Sequence, residues 1–215
     1  MQPARGFRAM TPDVQPTVTP TPPPTTVARF TLRTLGYLPL TFFVWYFAAP
    51  ALLYPAVLLV RAIAKLALRD IVRSVEQARA TLTFMTALRP SGAVAGSVLT
   101  VDVDLLIYAY GLPLFAALTL AARERAWKRH LAIGYAVLMP CVALPALADF
   151  LKSVAITAGP AVASQTGFVA WQREAIAFAF QFGSLIVPAV VPAVLWVALH
   201  GRFLAASRHR GAASP

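Results

Sequence analysis

Cysteine, histidine, lysine and acidic residues are all scarce in this chain. Its 215 residues hold one cysteine, three histidines, three lysines and eight Asp plus Glu. The single cysteine, Cys141, excludes an intramolecular disulfide and a cysteine-based zinc site. Charged residues make up only 13% of the chain against 59% hydrophobic, with a mean hydropathy of +0.68, a balance wrong for a soluble domain of this size. The net charge is +11. In a soluble protein that excess would point to nucleic acid. In a chain this apolar, cationic loops that set orientation and meet anionic lipid headgroups account for it, so membrane lipids are expected as partners and nucleic acid is not.

Four long stretches carry no charge: residues 34–60, 105–122, 131–148 and 175–199, of 27, 18, 18 and 25 residues. A helix needs about 20 predominantly apolar residues to cross a bilayer. The expectation is therefore an all-α polytopic membrane protein with four transmembrane helices, at about 35–60, 105–122, 131–149 and 175–199, within a membrane domain of residues 29–203. Three of the four spans carry proline pairs, Pro50/Pro55, Pro140/Pro145 and Pro188/Pro192, and Pro113 follows Gly111 in another. Each internal proline deletes a backbone hydrogen bond, so kinked helices are expected. Broken helices also build ion sites in transporters, but those sites need a buried carboxylate or histidine. The mid-span polar residues here are weak ones such as Thr119, Gln181 and Ser184.

Outside the spans, residues 1–28 form a Pro/Thr-rich tail expected to be disordered, and no apolar region follows Arg5 and Arg8 to make a secretory signal. After Arg61, Ile63, Leu66, Ala67, Ile71 and Val75 recur at helical spacing, which predicts an amphipathic helix leaving the membrane. Two alternating runs, Thr81-Leu82-Thr83-Phe84 and Val98 to Asp104, flank the turn residues Pro90-Ser91-Gly92 and predict a β-hairpin. In it, Leu82 and Phe84 share a face with Val101 and Val103. With four spans, both termini and the 123–130 turn lie on one side, which carries 11 Lys/Arg and two acids. The other side, 61–104 and 149–174, carries eight Lys/Arg and six acids. Short basic loops resist translocation, so 1–28 and 204–215 are expected to be cytoplasmic tails, and the helix and hairpin of 61–104 extracytoplasmic.

No residue set reads as a catalytic centre. A thiol nucleophile needs a base within hydrogen-bond reach. His130, His200 and His209 lie at or beyond the cytoplasmic helix ends, His130 roughly 16 Å along the axis from Cys141. Cys141 is therefore expected to be structural, and no metal site or cofactor is expected. The outer edge is the candidate binding region. Asp104 enters the second span, Asp149 and Lys152 leave the third, and Trp171, Arg173 and Glu174 enter the fourth, with Tyr108 and Tyr110 one to two turns deeper. Asp149 and Lys152, three apart, suit a pair on one helical face. These residues either clamp helix ends or recognise a peptide or headgroup.

Three segments together resemble a known family: Thr41-Phe42-Phe43-Val44-Trp45-Tyr46 with Pro50 behind it, Leu106-Ile107-Tyr108-Ala109-Tyr110-Gly111-Leu112-Pro113-Leu114-Phe115, and residues 183–196 with their two prolines. They are similar to the exosortase H-associated membrane proteins, small bacterial inner-membrane proteins. Exosortases are membrane transpeptidase-like enzymes that process a C-terminal anchor on exported proteins. The resemblance implies an accessory to that sorting system, a non-catalytic partner of an exosortase or of its exported substrate. It carries no catalytic residues over to this chain. The rival reading from the residues alone is a small transporter or lipid-handling protein.

Overall fold

A computed structural model describes residues 26–90 and 97–201. Residues 1–25 of the expected Pro/Thr-rich tail, the Ser91-Gly92 turn residues and the C-terminal tail lie outside the described residues, while residues 26–28, expected to be disordered, are helical. The chain begins with α1 (Thr26–Leu52) and α2 (Tyr54–Ala67), which together make one apolar rod, Ala28–Ala67, of 40 residues. The rod falters only at Leu53, just ahead of Pro55, whose ring nitrogen has no hydrogen to donate. The bonds Leu53 N to Ala49 O (2.9 Å) and Val57 N to Leu53 O (3.0 Å) carry the helix across. From the side, the Tyr135 hydroxyl donates to the Leu52 carbonyl at 2.6 Å. Removing it by Tyr135→Phe is expected to cost about 1 kcal/mol, read as a small drop in thermal midpoint of the detergent-purified protein. An unchanged midpoint would mean that the break needs no external donor.

Beyond Arg61 the sequence expectation is half right. The helix stops at Ala67, where Leu68 N returns to Ala64 O. After a turn at Arg69-Asp70, residues Val72–Ala78 form strand β1. Ile71 and Val75 fit a helical period by spacing, but β-branched side chains fit a pleated, half-buried surface better, and here a partner strand is available. That partner is β2 (Thr81–Thr86), joined to β1 by the tight turn Arg79-Ala80, in which Arg79 takes φ 58°. β2 in turn pairs antiparallel with β3 (Thr100–Asp104), giving a three-stranded sheet in the order β1-β2-β3. The hairpin has the expected shared face, in a register that puts Leu82 opposite Val103 and Phe84 opposite Val101. Leu82, Phe84 and Val103 are buried. The third strand resolves a difficulty, because two strands alone are marginal in water.

The sheet rests on a long helix by its apolar face. Phe84 stacks on Phe150 with ring centroids 4.2 Å apart, both fully buried. Phe150 belongs to α5 (Trp127–Lys152), which runs unbroken through Pro140 and Pro145. Before α5 come α3 (Leu106–Ala109) and α4 (Gly111–Ala122), broken at Tyr110 ahead of Pro113. After it the chain winds as a π-helical turn, Ser153–Thr157, and then a short α6 (Pro160–Gln165). The Gln165 amide bonds both the N–H and the carbonyl of Arg89, tying α6 to the chain beyond β2. Helices α7 (Ala170–Leu185) and α8 (Val187–Leu199) meet at a 57° bend. Pro188 explains it, since the Ser184 carbonyl loses the donor a straight helix would provide.

Among the described residues, two helices, Ala28–Ala67 and Trp127–Thr157, are long and apolar enough to cross a membrane, and the bent α7–α8 pair makes a third if it is one span. The fourth expected span corresponds to Leu106–Ala122, a shorter apolar helix interrupted at Tyr110. By length, two or three of the four expected spans are shown and a fourth is not, with α3–α4 packed between α1, α5 and α8. Large apolar side chains such as Phe43, Phe47, Phe178 and Leu185 face outward, a surface suited to lipid and costly in water.

Candidate functional site

The two ends of the helix assembly differ in chemistry. At the sheet end, Asp104 closes β3, and its Oδ1 accepts from Leu106 N at 2.9 Å, starting α3. That start turns Tyr108 inward, where it is buried with the Asp149 and Asp104 carboxylates near its hydroxyl. Asp149 pairs with Lys152 at 3.9 Å, as expected from their spacing. The Lys152 ammonium stands 3.8 Å from the centre of the Phe180 ring on α7, a cation–π contact. Tyr110 is half-buried against the main core. Four expected residues, Asp104, Tyr108, Asp149 and Lys152, thus come together, with Asp149 and Lys152 paired.

The others stand apart. Arg173 and Glu174 lie six or more residues before Phe180, about 9 Å along α7, and line an open cavity of about 440 Å³ beneath the π-helical turn, with Ile156 and Pro160 on its wall. Arg173 Nε donates to the Phe168 carbonyl at 3.1 Å, and Glu174 is exposed. Trp171, one turn earlier, is 67% exposed.

At the opposite end the chain makes a cluster that the sequence reading did not join. α4 stops at Arg123, whose left-handed backbone (φ 51°, ψ 33°) folds the next residues back over the start of α5. Glu124 Oε2 then lies 3.5 Å from His130 Nδ1, and His130 Nδ1 lies 3.2 Å from His200 Nε2. His200, fully buried beyond α8, places its Nδ1 3.0 Å from the Trp196 carbonyl and its ring flat against that indole. Phe30 also stacks on Trp196, bringing in the start of α1. Burial lowers the His200 pKa, only partly offset by the Trp196 carbonyl and the Glu124 charge. A signal for this cluster was present: the same depth argument that separates His130 and His200 from Cys141 puts the two histidines at one level. Cys141 itself is half-buried in the middle of α5.

Between the ends, a cavity of about 310 Å³ opens between α1 and α4, walled by Val44, Trp45, Leu112, Phe115 and Tyr135. Its lining holds no carboxylate, lysine, arginine or histidine.

Apolar helices with outward-facing phenylalanines, a small sheet at one end and a basic turn at the other define an integral membrane protein. A family model described as exosortase H-associated membrane protein matches residues 24–203, most of the chain, and the chain belongs to that family. No curated protein and no solved structure matches it.

Proposed function

We propose that this protein is a non-catalytic binding partner of an exosortase-type sorting system in the bacterial inner membrane, engaging the enzyme or its exported substrate at the sheet end. Membership of a family named for its association with exosortase H carries the reading. Orientation follows from charge. Arg29, Arg33, Arg123, Arg125, Lys128 and Arg129 are all exposed and belong to the start of α1 and the 123–129 turn, and short basic segments stay cytoplasmic. The sheet end then faces outward, where an exported chain arrives. The cavity between α1 and α4 gives no support to ion-coupled transport, which calls for an ionisable group at depth.

Within the outer edge the two groups of residues take different roles. Asp104, Tyr108, Asp149 and Lys152 hold helix ends together, and Trp171, Arg173 and Glu174 recognise the partner. An exposed tryptophan beside an arginine and a carboxylate has the composition of an interface hot spot. Trp171→Ala with Glu174→Gln is expected to cut co-purification with the exosortase at least about tenfold, the effect of losing one hot-spot side chain, at normal abundance. Asp149→Ala is expected to lower abundance instead. Normal co-purification and substrate processing in the Trp171/Glu174 variant would retire the recognition role.

A further inference from the structure

We propose that Glu124, His130 and His200 form a binding site for a divalent cation of the zinc class at the basic end, with a fourth coordination position left open. One donor atom from each of the three lies within 4.8 Å of the other two. With metal–nitrogen and metal–oxygen bonds near 2.0–2.1 Å, neighbouring donors of a tetrahedral site stand about 3.3 Å apart. The two edges that meet at His130 Nδ1 measure 3.2 Å to His200 and 3.5 Å to Glu124. The donors are thus already spaced as the edges of such a tetrahedron, and closing the third edge needs only a rotation of the half-buried Glu124 side chain.

The surroundings prepare the ligands. His200 donates from Nδ1 to the Trp196 carbonyl, which leaves Nε2 with its lone pair facing His130. This is the outer-sphere arrangement that fixes tautomer and ring angle in metal-binding histidines. His200 is fully buried and its ring lies between Trp196 and His130, so little side-chain freedom is lost on binding. His130 needs only to carry its hydrogen on Nε2. Two imidazoles and one carboxylate suit zinc, cobalt(II) or nickel(II), and do not suit calcium or magnesium, which take oxygen ligands. Arg123, Arg125, Lys128 and Arg129 are exposed around the site and repel cations at a distance, an effect salt screens within about 10 Å. Affinity therefore comes from the preset geometry and not from a general attraction of cations. The metal would cross-link the 123–126 turn, the first turn of α5 and the end of α8.

The test uses the untagged full chain in detergent with His209→Ala, which removes the tail histidine, stripped by chelator and titrated with Zn2+ and then Co2+. One metal per chain is expected, with the intense visible absorption of four-coordinate cobalt and a rise in thermal midpoint on adding zinc. His200→Ala would open a hole at a fully buried position, so the two half-buried ligands are varied. His130→Gln and Glu124→Gln are each expected to weaken binding by at least about a hundredfold, since losing an outer-sphere partner already costs up to that much. They should also abolish the zinc-dependent rise in midpoint while folding normally without metal. No stoichiometric uptake by the parent at micromolar free zinc would overturn the site and leave the three residues as a hydrogen-bonded clasp. Equal uptake by His130→Gln would overturn it as well.

Discussion

Phe84→Ala is expected to cost about 3–5 kcal/mol, the range for emptying a buried aromatic site. Phe84 sits on the central strand, fully buried, with its ring 16° from parallel to that of Phe150. It is therefore both core and fastening: the contact joins the sheet to α5. Aromatic stacking of this kind adds about 0.5–1.5 kcal/mol beyond area burial, so a double-mutant cycle with Phe150→Leu should show coupling of that size. Hydrogen exchange gives the spatial reading. Amides of β1, β2 and β3 should lose protection first, while the middle of α5 keeps it. A destabilisation below about 1 kcal/mol, far under the range for such sites, would mean that the sheet is held elsewhere.

Gly111→Val should damage the helix bundle directly. A Cβ at Gly111 would stand 2.7 Å from the Pro188 carbonyl oxygen and 2.5 Å from Pro192 Cγ. A backbone oxygen and a proline ring cannot swing aside, so α4 would have to move off α8. Overpacking typically costs about 1–3 kcal/mol, and a contact against backbone belongs at or above the top of that range. Gly36→Ala supplies the control. Nothing lies within 4 Å of a Cβ there, and alanine in a helix interior gains roughly 0.5–1 kcal/mol over glycine. Equal thermal midpoints for Gly111→Val and Gly36→Ala would show that α4 and α8 are not closely packed.

The membrane character and the shared apolar face of β2 and β3 were legible because each rests on a strong pattern: uncharged runs for one, strict alternation of Leu82, Phe84, Val101 and Val103 for the other. Residues 72–78 were not, because Ile71 and Val75 satisfy a helical spacing, and only the presence of β2 alongside decides for a strand. The fourth span is not shown by length for a related reason. Absence of charge marks 105–122 as apolar but says nothing about the break at Tyr110. Proline was a partial guide, since Pro188 accompanies a sharp bend while Pro140 and Pro145 lie within a continuous α5. At the sheet end, i,i+3 spacing identified Asp149 and Lys152, whereas the burial of Tyr108 near them required the fold. The cluster of Glu124, His130 and His200 joins residues 70 apart, and no local pattern encodes that pairing.

Arg61 on α2 reaches across to the sheet, its Nε 3.0 Å from the Val75 carbonyl. β1 is the outermost strand on that flank, and an outermost strand normally invites another extended chain to add to it. Here the inviting oxygen is already taken, the ladder is offset between Val72 and Ser74, and Arg73 and Glu76 project from the same strand. An extended polypeptide adding to this flank would have to displace a charged donor and flatten a bulge before gaining its first backbone bond. The flank therefore acts as a guard against templated growth of the sheet.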